Sequence, residues 1–287
     1  MRCTLCGHNH FTKLYTIRSI ELLKCSHCGL IFANLPVPDE QQVEFLNSIY
    51  TDDYFTGQAK NMSYDNFGYE KNYFEEKGPE QMINAHRRLK VIERLKPLKG
   101  RLLDIGCAAG FFLNVARERG WQPFGLELSE TAAEFARKQF KLNIVTGTFE
   151  HAPLPENYYD VITAWDVIEH VLEPQIFIRK TFTLLKNNGM LVIGTPNVGS
   201  LAYKLRKNHW YHLKPPEHIF YYNPETLKQL LESKFPKVMT AAGYPQYSKV
   251  PPTFKAYVKR LLYAGFNILA QIVHQGEYVV AYAWKTN

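Results

Sequence analysis

Four of the five cysteines lie in two short C-x-x-C-G repeats near the N-terminus. They are Cys3, Cys6, Cys25 and Cys28. Each pair can direct two thiolates at one ion, and the glycine behind each pair permits a tight turn. This spacing predicts a structural zinc site with all four ligand positions filled by protein. Two disulfides or free thiols are the alternatives, and a cytoplasmic setting disfavours disulfides.

A second stretch with chemical potential reads L-L-D-I-G-C-A-A-G, from Leu102 to Gly110. It predicts a buried strand ending near Asp104, a tight turn from Gly106, and a helix that opens at Phe111. A glycine-rich turn between strand and helix lets backbone N–H groups approach a ligand closely. The stretch therefore predicts a binding site at the end of this strand.

An acidic residue, Glu127, ends the next predicted strand. A carboxylate at this position can accept both hydroxyls of a ribose. A dinucleotide fingerprint requires glycine at the middle position of the turn and glycine or alanine at the third. Ala108 and Phe111 stand there instead, so the sequence disfavours NAD.

These residues resemble the first motif of class I S-adenosylmethionine-dependent methyltransferases. Ala108 replaces the family's usual middle glycine, which is tolerable if the position keeps a negative φ. Thr148 stands where relatives have an aspartate that bonds the adenine amino group. The cofactor-binding residues implied by the resemblance are Asp104, Gly106, Cys107, Ala108, Gly110, Phe111, Glu127, Leu128, Thr148, Phe149, Trp165 and Asp166.

The segment 159–170 is similar to the fourth motif of the subfamily that includes ubiquinone-pathway O-methyltransferases and sugar methyltransferases. The resemblance implies that residues 164–166 sit beside the sulfonium. In the ubiquinone relatives an E-H pair, here Glu169 and His170, has been linked to a metal. Support of the following loop by His170 is the alternative role.

The segment 210–223 resembles the part of sugar C-methyltransferases that carries a Glu-His catalytic pair, with Pro215 replacing its leading tyrosine. An oxygen or carbon acceptor must lose a proton, and histidine suits that role. We predict His218 as the general base, oriented by Glu217. A structural histidine beside two prolines is the alternative, and His170 or a tyrosine such as Tyr69 would then be the next candidates.

Strands and helices alternate along the rest of the chain, which predicts a parallel sheet covered on both sides. The expected fold class is α/β, with a Rossmann-like doubly wound seven-stranded sheet and a small N-terminal zinc-ribbon-like module. We expect helices at 79–96 and 175–185, the latter closed by the loop 187–189, and a strand at 190–195. The expected domains are a zinc module (1–38), an aromatic-rich linker and lid (39–78) and a methyltransferase domain (79–287). An insertion at 251–274 has helical periodicity that fits core packing or a dimer contact, an acceptor-site wall, or an interfacial membrane helix.

The chain has 287 residues, of which 46% are hydrophobic and 21% charged, with a net charge of +7. This composition is ordinary for a soluble globular chain. We expect a cytoplasmic protein with no signal peptide and no transmembrane segment. The expected activity is S-adenosylmethionine-dependent methyl transfer to oxygen or carbon of a small molecule, such as a nucleotide- or lipid-linked sugar or another secondary metabolite, with zinc as a structural ion. The alternative is a non-catalytic protein that binds a ligand or nucleic acid, although no nucleic acid is expected; the oligomeric state is left open.

Overall fold

The computed structural model of the protein describes residues 1–38, 41, 42, 44, 73–243 and 275–286. Most of the predicted lid, including Tyr69, and the whole insertion at 251–274 lie outside the described residues, so both stay predictions. No helix in the described ranges is long and apolar enough to cross a membrane.

The described strands and helices follow the predicted alternation. The strands are β1 Phe11–Ile17, β2 Ile20–Cys25, β3 Ile31–Asn34, β4 Arg101–Ile105, β5 Gln122–Glu127, β6 Asn143–Thr146, β7 Tyr159–Trp165, β8 Leu185–Pro196, β9 Phe220–Tyr221, β10 Lys237–Ala242 and β11 Tyr278–Trp284. The α-helices are α1 Tyr73–Leu95, α2 Phe111–Glu118, α3 Glu130–Phe140, α4 Pro174–Leu184, α5 Leu201–Arg206 and α6 Pro224–Glu232, with short 3-10 turns at Ile168–His170 and Lys207–His209.

Seven strands form one sheet in the order β10-β11-β8-β7-β4-β5-β6. β4 pairs in parallel with β5 and β7, while β10 and β11 pair antiparallel. The predicted fold class, a Rossmann-like doubly wound sheet with a small N-terminal module, is confirmed. β4 is buried along Leu102–Ile105, as expected for a parallel strand that is covered on both faces.

Two compact units can be distinguished. The central unit comprises Val37–Trp165, Thr183–Leu191 and Asn287; the ribbon unit comprises Met1–Pro36, Asp166–Phe182 and Val192–Thr286. The domain boundaries expected from the sequence stay a prediction.

Side-chain caps fix several helix starts in the two units. In the central unit, the Ser129 hydroxyl accepts from the Ala132 N–H at the start of α3. In the ribbon unit, Asn223 and Thr226 form a reciprocal capping box at the start of α6. Both are the residue types that favour N-caps because their oxygens satisfy the first free N–H groups.

The predicted helix at 175–185 ends one residue early, at Leu184, and the expected closing loop at 187–189 is instead part of β8. Within it, Asn188 adopts a left-handed φ of 59°. Asparagine tolerates this conformation, so the strand accommodates a sequence that reads as a turn. α1 extends further than expected at its start, beginning at Tyr73.

In the ribbon unit, the N-terminal module forms an antiparallel sheet in the order β1-β2-β3-β9. Its fourth strand is the two-residue β9, which comes from a distant part of the chain and pairs antiparallel with β3. The sequence does not predict β9, because two residues are too few to show a period.

Candidate active site

The turn after β4 takes three left-handed residues in short succession: Gly106 at φ 70°, Ala108 at 45° and Gly110 at 76°. Ala108 therefore does not meet the condition of a negative φ under which alanine replaces glycine without strain. A residue with a Cβ pays roughly 1–2 kcal/mol for this conformation. In return, the Ala108 N–H points at Glu127 and donates to its Oε2 at 2.8 Å, which gives a physical reason for the unusual backbone.

Gly110 caps α2 and leaves no room for a side chain. A Cβ added there would lie 2.7 Å from Leu142 Cδ1 and 2.8 Å from Ala136 Cβ. Close packing of the turn against α3 therefore requires glycine on both conformational and steric grounds. Cys107 is buried in the same turn, and burial raises the pKa of its thiol well above the usual value.

Two carboxylates lie at the ends of the adjacent strands β4 and β5. Asp104 is 3% exposed, and its Oδ1 accepts from the Thr163 hydroxyl at 2.6 Å. Burial raises the pKa of Asp104 to about 7. Glu127 is also buried, its Oε1 accepts from the Ser129 N–H at 3.0 Å, and burial raises its pKa. Backbone N–H groups of Ser129, Ala108 and Leu128 favour the ionised Glu127 carboxylate against the effect of burial, and a carboxylate held in this way fits binding of ribose hydroxyls.

The other predicted cofactor residues in the central unit lie at or just after the ends of β5, β6 and β7. Phe149 is buried, whereas Leu128 is 43% exposed. Thr148 Oγ1 is hydrogen-bonded to His151 Nδ1 at 3.0 Å, so its hydroxyl is engaged locally. Trp165 packs with Phe112 and lies under the guanidinium of Arg88, 4.1 Å from the ring centroid.

The Trp165 indole Nε1 is buried and has no hydrogen-bond partner among the described residues. A buried N–H without an acceptor is rare in native proteins. An acceptor atom of a bound ligand would satisfy it, and this fits the cofactor role implied for Trp165. Asp166, the next residue, is left-handed at φ 56°, and its N–H donates to Gly194 O.

In the ribbon unit, His170 and His218 come together, with ring centroids 4.8 Å apart in an edge-to-face arrangement. His170 Nδ1 lies 2.7 Å from the Glu217 carbonyl oxygen. Because a carbonyl only accepts, Nδ1 carries the proton and Nε2 keeps its lone pair. The His212 ring stacks 6.5 Å from that of His218. We call His170, His212 and His218 the histidine cluster.

Glu169 borders the histidine cluster and is 1% exposed. Its Oε2 accepts from the Thr195 hydroxyl at 2.9 Å, but Oε1 has no partner within the described part of the chain. Burial raises the pKa of Glu169 well above its usual value. One ligand atom each from Glu169, His170 and His218 lie within 4.8 Å of one another, so the group could also hold a metal ion.

Burial lowers the pKa of every imidazole in the histidine cluster: to about 4 for His170, to about 3 for His212, and well below the usual value for His218. Neighbouring positive charge on Lys214 acts in the same direction. The three rings are therefore neutral at pH 7, and each keeps the lone pair of one ring nitrogen.

Glu217, the predicted partner of His218, participates through its backbone carbonyl, which accepts from His170. Its carboxylate has Lys214 and Arg18 as electrostatic neighbours, and burial raises its pKa. The role of Glu217 in orienting His218 stays a prediction. No signal in the sequence indicated a role for His212. Glu169 was not among the predicted catalytic residues, although its place before His170 in the E-H pair pointed to it.

The four cysteines of the N-terminal module converge as predicted. The Sγ atoms of Cys3 and Cys28 lie 3.6 Å apart, those of Cys6 and Cys25 lie 3.5 Å apart, and all four are within 4.8 Å of one another. Thiolates around one tetrahedral zinc ion, with Zn–S near 2.3 Å, stand about 3.8 Å apart. The geometry therefore fits a zinc ion.

A family model described as a methyltransferase domain matches residues 74–234, more than half of the chain. The chain belongs to this family, and its fold is that of the class I S-adenosylmethionine-dependent members.

Relatives include ubiquinone biosynthesis O-methyltransferases from Coxiella burnetii and Vibrio cholerae. The first is 31% identical over 131 residues, covering 44% of this chain and 56% of the relative. The second is 32% identical over 132 residues, covering 44% and 54%. The chain thus matches about half the length of these curated relatives.

Solved structures with a similar fold include a SAM-dependent methyltransferase from Archaeoglobus fulgidus, with a TM-score of 0.53 and 24% identity over 74% of this chain and 99% of that one. A possible histamine N-methyltransferase from Thermotoga maritima has a TM-score of 0.51 and 22% identity, covering 74% and 94%. At these identities the likeness describes the fold alone.

Proposed function

We propose that this protein transfers a methyl group from S-adenosylmethionine to an oxygen atom of a small-molecule acceptor. The observation that carries the proposal is the anchoring of Glu127 at the end of β5 by the N–H groups of Ala108 and Ser129. This arrangement presents a fixed carboxylate beside the glycine turn, as ribose recognition requires. The names of the O-methyltransferase relatives support oxygen over carbon as the acceptor atom.

S-adenosylmethionine, when bound, supplies a methyl group on a sulfonium, which is already a good leaving group. The task left to the chain is to align the acceptor and remove its proton. In the proposal, Glu127 holds the ribose hydroxyls, and Phe149 and Trp165 pack against the cofactor. His218 takes the acceptor proton, since its neutral imidazole has a lone pair at pH 7.

The acceptor class we propose is a hydroxylated sugar or secondary metabolite. A panel of nucleotide-linked sugars, lipid-linked sugars and phenols, incubated with methyl-labelled S-adenosylmethionine, tests this proposal through the mass shift of the product. Label that binds to the protein but transfers to no acceptor would instead favour the non-catalytic alternative.

The test of His218 is single-turnover transfer by His218→Ala with an acceptor found in that panel. We expect the rate to fall by about two to four orders of magnitude, the usual loss when a general base is removed. His209→Ala is the matched control, because this histidine is exposed and lies outside the histidine cluster. Equal rates for the two variants would remove His218 from the proposal.

The same assay separates a base from a metal ligand at the histidine cluster. If His218 acts as a free base, dialysis against a chelator followed by zinc repletion of the cysteine site leaves the rate unchanged. A rate that returns only with a second equivalent of divalent metal would assign Glu169, His170 and His218 to a metal instead.

We also propose that Cys3, Cys6, Cys25 and Cys28 hold one structural zinc ion. Elemental analysis of protein purified without chelator should give one zinc per chain, and Cys25→Ser should lower that content. Zinc-free wild-type protein would contradict the proposal.

A further inference from the structure

Ile219, the residue after His218, uses both of its backbone groups to join two separate elements of the ribbon unit. Its carbonyl accepts from the Ala33 N–H of β3 at 2.8 Å, and its own N–H donates to the Glu169 carbonyl at 2.8 Å. The Ile219 side chain is 3% exposed. The position of His218 is thus linked by one residue to the N-terminal module on one side and to Glu169 on the other.

The contact with the module is a continuous ladder. β9 pairs antiparallel with β3, with Phe220 opposite Phe32 and Tyr221 opposite Ile31. The buried Phe32 ring packs between Phe11 and Phe220, with centroid distances of 5.2 and 6.5 Å. β9 is therefore held by module side chains as well as by module backbone.

β3 begins directly after the second cysteine pair. The Cys25 N–H donates to Leu30 O at 2.9 Å, and the Gly29 N–H donates to Cys25 O at 3.0 Å. These bonds fix the turn that precedes Ile31, the first residue of β3. Without an ion, four sulfur atoms within 4.8 Å of one another lose the interaction that holds them together.

We infer that the four-cysteine module is a positioning element for His218, and that metal binding to the cysteines sets the place of His218 through β3 and Ile219. The activity part of this inference rests on the proposed function; the structural part does not. Ala33 and Ile219 are the positioning residues, since neither touches a reacting group.

The far end of β9 is anchored outside the module. The Tyr222 carbonyl accepts from the Val198 N–H at 2.9 Å, in the segment that follows β8. Loss of the module therefore removes the Ala33 bond and the β3 pairing at the end of β9 that carries Ile219 and His218, and leaves the weaker support of the bonds to Glu169 O and Lys214 O, while the Val198 bond at the other end is untouched. The inference therefore predicts that metal removal changes amide exchange at one end of β9 and not at the other.

Hydrogen exchange of single backbone amides measures this difference between the two ends. The full-length protein is measured with zinc, after metal removal with a chelator, and after zinc is restored. The Ile219 amide should exchange about tenfold faster without metal, as expected for loss of roughly one hydrogen bond's support, and should recover with zinc. Its acceptor, Glu169 O, lies outside the module, so faster exchange reports lost positioning rather than a lost partner. The Val198 amide should stay unchanged, and unchanged exchange at Ile219 would overturn the inference.

A second experiment uses a substitution that leaves the cysteines intact. Ala33→Pro removes the N–H that donates to Ile219, whereas the control Ala33→Gly keeps it. With one zinc per chain retained, Ala33→Pro should lower kcat about tenfold or more, leave KM for S-adenosylmethionine unchanged and speed exchange at Ile219. Equal kcat and equal exchange for the two variants would refute the inference. If wild type transfers no methyl group at all, the proposed function fails, and the exchange results still decide the role of the module.

Discussion

The buried carboxyl of Asp104 should make the stability of the ligand-free protein depend on pH in a direction opposite to that of most acidic side chains. Its folded-state pKa is about 7, against 3.8 for the ordinary group. Between these two values the folded state binds a proton that the unfolded state does not. The contribution of Asp104 to the free energy of unfolding is therefore greatest below pH 3.8 and falls by about 1.4 kcal/mol per pH unit up to about pH 7. Over the whole window this amounts to about 4 kcal/mol.

Asp104→Asn removes the titration while keeping an oxygen that can accept from Thr163. Urea unfolding of wild type and variant at pH 5, 6, 7 and 8 gives the difference in free energy of unfolding. This difference should move by about 2 kcal/mol in favour of the variant between pH 5 and 7, then level off towards pH 8. A difference that stays constant from pH 5 to 8 would refute the assignment, because it would mean that Asp104 either is already ionised at pH 5 or is still protonated at pH 8.

A matched control is Asp160→Asn. Asp160 accepts from the Lys186 ammonium at 2.7 Å and from the Arg101 N–H at 2.8 Å. Against the effect of burial, these donors keep the pKa of Asp160 below its usual value. Its stabilising effect is present above pH 3.8 and is lost only as the pH falls through the lower folded value. The difference between Asp160→Asn and wild type should therefore be flat from pH 5 to 8.

Two further substitutions test the turn after β4. Glu127→Ala should weaken S-adenosylmethionine binding by about ten- to a hundredfold in calorimetric titration, because charged hydrogen bonds to the ligand are lost. The control Glu134→Ala changes an exposed side chain and should bind like wild type. Equal affinities of the two variants would exclude Glu127 from the site. Gly110→Ala should lower the free energy of unfolding by about 3 kcal/mol, because it combines a left-handed φ with a clash. Gly7→Ala has the same φ of 76° but nothing within 4 Å, so it should cost only about 1 kcal/mol; similar costs for both would contradict the steric argument.

The strand, turn and acid that form the proposed cofactor site could be predicted from the sequence because their signals are local. The turn from Gly106 to Gly110 and the acid at the end of β5 each lie within a few residues of the strand that positions them. The sign of φ at Ala108 was not accessible, since it is decided by the hydrogen bond to Glu127, a residue on another strand.

The contacts within the histidine cluster, in contrast, could not be predicted from local sequence. His218 and His170 were candidates on motif grounds, but their contact depends on the return of the chain through β9. A two-residue strand has no period, so its pairing with β3 could not be read from the pattern. The orphaned oxygen of Glu169 likewise depends on tertiary burial, which no local pattern encodes.

The burial of Cys107 has a practical consequence for measuring local opening of the protein. It is the only cysteine outside the two C-x-x-C-G repeats, it is 6% exposed, and burial raises the pKa of its thiol. Because the thiolate is the reacting species, an alkylating reagent reaches Cys107 only when the turn after β4 opens. In protein whose other four thiols hold the proposed zinc ion, the alkylation rate of this single sulfur reports the opening equilibrium of the turn. A ligand that closes the turn should slow that rate, so one native thiol serves as a built-in reporter of occupancy.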